Sequence, residues 1–160
     1  MRLTQAITSL EQHVDSLPSG AYLAHAFFMD DGNDEWQIGY VDPEDQSIIV
    51  FVVSADAVTK NPPAEAFKKP DHVIQELKLE NVGISAEDAL ACAKKNLSEK
   101  HSTHPLKQAI VLLQVLPEEG QVYNITLVTE TFHMYNIKLD SQSGDIVSEK
   151  MDHLMSLRKE

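Results

Sequence analysis

The chain has 160 residues, room for one ordinary domain or two small ones, and its 42% hydrophobic and 24% charged residues describe a folded protein rather than a disordered one. Asp and Glu number 25 against 13 Lys and Arg, a formal charge of −12 that argues against nucleic acid and anionic membranes as partners, because both reward a positive surface. Cys92 is the single cysteine, which excludes an intrachain disulfide and a cysteine zinc cluster; with no signal-peptide pattern in MRLTQAITSLEQHVDSLPSG and no apolar run of about 20 residues, the expected location is cytoplasmic.

In chain order, Ile7, Leu10, Val14 and Leu17 recur at helical spacing, which predicts a helix over 4–16 with Thr4 as N-cap and Pro18-Ser-Gly20 as its stop. Strands are expected at 21–29, at 36–41, where Trp36, Ile38 and Tyr40 alternate with smaller residues, and at 48–54. DDGNDE and DPEDQS are the turns between them. TKNPPAEAFKKP reads as a connection in which Pro63 fits the first turn of a short helix, AEAFKK. VIQELKL at 73–79 alternates well enough to predict a strand joining two halves.

The next element is the clearest. Ser85, with Asp88 three residues on, has the form of a capping box, and Ala86, Ala89, Leu90, Ala93 and Leu97 make one apolar stripe behind it. Strands follow at 108–116, 122–129 and 132–139, and DIVSEK leads into a short C-terminal helix. The intervening turns are too short for parallel crossovers, so the strands are antiparallel.

The halves can be laid over one another. Trp36, Ile38 and Tyr40 align with Tyr135, Ile137 and Leu139, and the turn from Asp42 aligns with the turn from Asp140 once one residue is inserted. Each half opens with an amphipathic helix. The expected fold class is therefore α+β, as two helix-plus-antiparallel-sheet repeats over 1–60 and 83–160, connected through 61–82.

The second half resembles a PepSY domain over about 84–149. The resemblance rests on the helix start Ile84-Ser85-Ala86-Glu87-Asp88-Ala89-Leu90, on Tyr123-Asn-Ile125-Thr-Leu127, and on Tyr135-Asn-Ile137-Lys-Leu139-Asp140 running into Ser143-Gly144-Asp145-Ile146-Val147. In that hairpin Asp140 accepts backbone N–H groups and Gly144 supplies a positive φ. The first half is a degenerate copy, with Asp42 in the matching place but Gln46 where the hairpin glycine would fall. The family implies a non-catalytic module, with a role in restraining peptidases and no catalytic residues or cofactor to carry over.

No residue pattern supports a catalytic or metal site. Cys92 lies between two alanines at the edge of the apolar stripe and reads as a small filler. His101 and His104 in HSTHP lack a third ligand nearby, and His133 is expected to face out. DDGNDE does not follow the calcium-loop spacing. The expected function is a protein-interaction or regulatory module, and the alternative is a small-molecule or lipid binder with a cavity between helix and sheet. The candidate surface comprises Asp30, Asp31, Asp34 and Glu35, which suit a basic protein partner because residues 1–60 hold ten acidic residues against Arg2 and Lys60. It also comprises Tyr123, Phe132 and Met134, on a second sheet face that would also suit a homodimer, because the local alternation changes phase near residues 134–135.

Overall fold

The computed structural model of the chain describes residues 1–62, 64–65 and 73–153. Two helices, α1 (Leu3–Leu10) and α2 (Ala86–Lys100), accompany nine strands: β1 (Tyr22–Asp30), β2 (Glu35–Val41), β3 (Ser47–Ser54), β4 (Val58–Lys60), β5 (Ala64–Glu65), β6 (Leu106–Leu116), β7 (Gly120–Thr129), β8 (His133–Asp140) and β9 (Ile146–His153). The expected α+β class is what the chain adopts. All nine strands share one antiparallel sheet in the order β4-β3-β2-β1-β6-β7-β8-β9, with β5 also on β3.

The sheet is continuous at its centre because β1 pairs directly with β6, Phe27 opposite Leu112. The strand expected at 73–79 does not exist. That segment runs as irregular backbone into a 3-10 turn at Leu79–Asn81, and crosses on the helix side with Leu77 buried and its N–H on the Leu23 carbonyl at 2.8 Å. A mixed face such as Val73-Ile74 lets one anchoring leucine, rather than a ladder, fix the crossing. Two further boundaries differ. Residues 59–60, expected in the connection, extend the sheet with Val58 as β4, and Ala64–Glu65, expected in a helix, pair with β3; the rest of AEAFKK lies outside the described residues. Similarly, β9 runs on to His153, and the expected C-terminal helix falls on residues outside those described.

Both helices lie on one face. α1 packs against β3, and α2 against β7 and β8. α1 begins one residue earlier than expected, with Arg2 rather than Thr4 as N-cap and the Arg2 backbone N–H donating to Gln5 Oε1 at 3.0 Å; it tightens into a 3-10 turn at Glu11–Ser16. At the start of α2, Ser85 Oγ accepts the Asp88 N–H at 3.1 Å. Strand alternation sends Trp36, Ile38, Phe51, Leu113, Ile125 and Ile137 into the core beneath the helices, each essentially inaccessible. A buried side chain of this size contributes about 1.5–3 kcal/mol. The alanines at 86, 89 and 93 let α2 settle closely on the sheet, all three being buried.

Candidate binding surface

The alternation that fills the core sends the opposite side chains to a face that neither helix covers. Register places Phe27 beside Gln37 and Leu112, Met29 beside Ile110, and Val52 beside Gln37. These apolar residues are only partly buried, and they form a strip over β3, β2, β1 and β6. Toward β8 the same face turns polar. Asn124 Nδ2 donates to Gln114 Oε1 at 3.1 Å, and Asn136 Nδ2 donates to Asn124 Oδ1 at 2.7 Å, a side-chain amide ladder across three strands. His25 also lies on this face, its ring over Gly39 so closely that a Cβ there would stand 2.1 Å from Cε1. Burial lowers the pKa of His25, which favours the neutral ring.

The acidic cluster at the β1–β2 turn does not act as one group. Asp30 is bound by Lys94 at 3.0 Å and Asp34 by the Met1 amino group. Asp31 and Glu35 instead flank a notch of about 150 Å³ that has Phe27 and Met29 in its lining. Asp31 is held by its own turn, accepting from the Asn33 N–H at 2.9 Å; among the described residues neither Asp31 nor Glu35 meets a cation. Farther along the face, Lys138 has Glu119 at 3.7 Å and Lys150 has Asp152 at 3.3 Å.

Of the aromatic and methionine candidates, two are not on the expected sheet face. Tyr123 is on the helix side and fully buried, with its hydroxyl donating to the Ile84 carbonyl at 2.7 Å, and burial raises its pKa. The alternation from Tyr123 through Ile125 and Leu127 has no phase change, so all three face the helices. Met134 does lie on the open face, opposite Val128. Phe132 is outside the strand, 59% exposed in the β7–β8 turn with φ of +61°, a strained value for a residue with a side chain.

On the helix side, a cleft of about 370 Å³ opens between α1 and α2, with Leu3, Ile7, Leu79 and Val82 among its apolar walls and Arg2 and Glu87 among its polar lining. The turn residues act as hairpin chemistry requires. Asp140 Oδ1 accepts the N–H groups of Gln142 and Ser143, both at 2.9 Å, which lower its pKa, and Gly144 has φ of +80°. Asp42 Oδ1 accepts the Glu44 N–H at 3.0 Å.

Sequence reasoning missed one constellation. His104 and His133 have ring centroids 4.0 Å apart, His133 and His153 4.6 Å, and His101 and His104 6.3 Å. His133 therefore does not face away alone. The hairpin register carried part of the signal, since His133 and His153 are direct cross-strand partners across the β8–β9 turn. Beside them Tyr135, which donates to Glu149 at 3.2 Å, has its pKa pushed up to about 12 by burial and then by that carboxylate. Among the described residues no group of three or more His, Cys, Asp or Glu is arranged to hold a metal ion, and no helix is long and apolar enough to cross a membrane. Cys92, half-buried on α2, packs against the core.

No family model and no curated protein matches the sequence. The fold is similar to that of a crystallised candidate lipoprotein from Clostridium difficile 630, with a TM-score of 0.65 at 16% identity over 95% of this chain and 93% of that one, a likeness that shows the fold alone.

Proposed function

We propose that the chain is a non-catalytic binding protein that receives a protein partner on the open face of its sheet. The observation that carries this reading is the makeup of that face: an apolar strip around Phe27, Met29, Val52 and Leu112, bordered by hydrogen-bonded amides and by two carboxylates that meet no cation among the described residues. An apolar centre inside a polar rim is the anatomy of a protein interface, and an antiparallel sheet clad on one side leaves its other side for such use. The free carboxylates favour a partner that offers a lysine or arginine next to apolar side chains, its stem over Phe27 and Met29 and its charge at Asp31 and Glu35. Pairing along the β9 edge fits less well, because Glu149, Lys150 and Asp152 stand on that strand and charged edges oppose strand addition.

The two halves also support a worn duplication of a PepSY-like module. In each, a helix precedes a meander whose last long hairpin bends at an Asp, and the bend closes with the same bond: Gln46 N–H to the Asp42 carbonyl at 2.8 Å, Gly144 N–H to the Asp140 carbonyl at 2.9 Å. Restraint of a peptidase, which the PepSY resemblance suggests, is one form such binding takes.

A second reading has its own observation. The cleft between α1 and α2 has apolar walls, and Arg2 at its lining has no ion pair among the described residues, which suits a small amphipathic anion. Selection from a random peptide library separates the two. The first reading expects basic-apolar peptides whose binding is lost in Leu112→Asp and in Asp31→Lys/Glu35→Lys, with Arg2→Glu unaffected and each variant's folding checked by circular dichroism. Peptides that ignore the open-face changes but are lost in Arg2→Glu overturn it in favour of the cleft.

A further inference from the structure

We propose that His104, His133 and His153 form a proton-sensitive latch that holds the loop at 101–105 against the β7–β8 turn while the rings are neutral and releases it when they gain charge. The three rings come from three elements: the loop after α2, the start of β8 and the end of β9. They stack in series at 4.0 and 4.6 Å, with His101, the C-cap of α2, 6.3 Å beyond His104.

The hydrogen bonds assign one proton within the stack. His133 Nδ1 lies 3.1 Å from the Thr131 carbonyl oxygen, which only accepts, so this nitrogen carries a hydrogen. The same Nδ1 is 3.1 Å from the Thr131 hydroxyl, and that hydroxyl is 2.7 Å from His104 Nδ1. The hydroxyl's one hydrogen goes either to His104 Nδ1 or to Thr129 Oγ1 at 3.0 Å, so the contact accommodates either neutral tautomer of His104. What the stack does not accommodate is charge: protonating His104 sets a cation 4.0 Å from the His133 ring.

Among the described residues, neighbouring charges do not offset that cation. There the charged groups on the elements packed around the cluster are Lys100 on α2, Lys107 on β6, Glu130 in the turn, and Glu149, Lys150 and Asp152 on β9. Glu149 is bound by Lys100 at 2.7 Å and Asp152 by Lys150 at 3.3 Å, while Glu130 is exposed. In agreement, burial and then His133, His101 and His153 lower the pKa of His104. The sign follows: the unfolded chain takes up this proton at its ordinary value of 6.5 and the folded chain only below it, so the latch is intact above 6.5 and weakens as pH falls through that range.

Two local readouts on the intact chain test this, with EDTA present. Local readouts are required because His25 also favours its neutral form and lowers global stability over the same range. Imidazole NMR titration should show His104 titrating below 6.5 and moving up toward it in His133→Gln. The Glu130 amide, which donates to the Pro105 carbonyl at 2.8 Å, reports whether the loop is attached. Its protection, corrected for intrinsic exchange, should fall several-fold from about pH 7.5 to about pH 5.5, and this dependence should vanish in His104→Gln/His133→Gln. An unchanged His104 midpoint in His133→Gln, or Glu130 protection independent of pH in the wild type, overturns the latch. Titrations that change when EDTA is added overturn it too, by showing that the rings hold a metal instead.

Discussion

In the turn at 42–46 the Asp42 carboxylate accepts one backbone N–H, that of Glu44, and Gln46 closes the bend at φ of +60°. In the turn at 140–144 the Asp140 carboxylate accepts two, and Gly144 closes the bend at +80°. The larger contrast is in what surrounds each. Ser141 is buried, and its carbonyl accepts the N–H groups of Gly83 at 2.9 Å and Ile84 at 3.2 Å. Its hydroxyl donates to the Asn81 carbonyl at 2.8 Å and accepts from Gln121 at 3.1 Å. The first turn has Pro43 near Gly20 and a long 3.4 Å bond from the Ile74 N–H to Gln46 Oε1. One turn is thus built into the base of α2, whereas its counterpart is a surface bend. The same backbone shape is closed by a strained residue in the surface bend and by glycine in the bracketed one.

The bracket at Gly83 gives the largest expected effect. A Cβ on Gly83 would stand 2.2 Å from the Gln142 carbonyl oxygen, and backbone on both sides leaves no flexible end to move. Gly83→Ala should destabilise the fold by about 2–3 kcal/mol in urea denaturation, as overpacking against rigid groups does. A loss below about 0.5 kcal/mol, the scale of ordinary surface changes, would mean that the second turn is no better anchored than the first. Gly144→Ala comes next. Its cost is mainly the left-handed backbone, about 1–2 kcal/mol, because the nearest atom to the new methyl is Ile84 Cδ1 at 3.2 Å, which can shift. Equal losses from the two alanines would show that the close packing at Gly83 costs no more than the left-handed backbone at Gly144.

Much of this contrast was legible in the residues, and the remainder was not, for definite reasons. Asp140 and Gly144 announce their turn because few residues supply those two functions, and period-two alternation placed the core residues of β2 and β8. The segment at 73–79 misled because alternation identifies a strand only if a partner strand is available; β1 and β6 had already taken each other. Tyr123 was placed on the wrong face by a phase change inferred near residues 134–135, where the true irregularity is the left-handed Phe132 before the strand begins. The division of Asp30 and Asp34 from Asp31 and Glu35 depends on Lys94, 64 residues from Asp30, a separation beyond any local pattern. The histidine stack joined a loop, a strand start and a strand end, and only its cross-strand pair could be counted out from a turn.

The smallest expected effect tests the first turn from the other side. Gln46 holds a conformation that costs an L-residue about 1–2 kcal/mol, so glycine there removes strain. Against this stand the greater freedom of glycine in the unfolded chain, about 0.5–1 kcal/mol, and the loss of the Gln46 Oε1 contact to Ile74, which at 3.4 Å is too long to contribute much. The net expectation for Gln46→Gly is a gain of at most about 0.5–1 kcal/mol, read as a higher urea midpoint with an unchanged slope. A clear loss would mean that the Gln46 side chain does for its turn what Ser141 does for the other, joining it to the crossing segment through Ile74. The first half would then have replaced a backbone bracket with a side-chain one, and the difference between the turns would be one of means and not of anchoring.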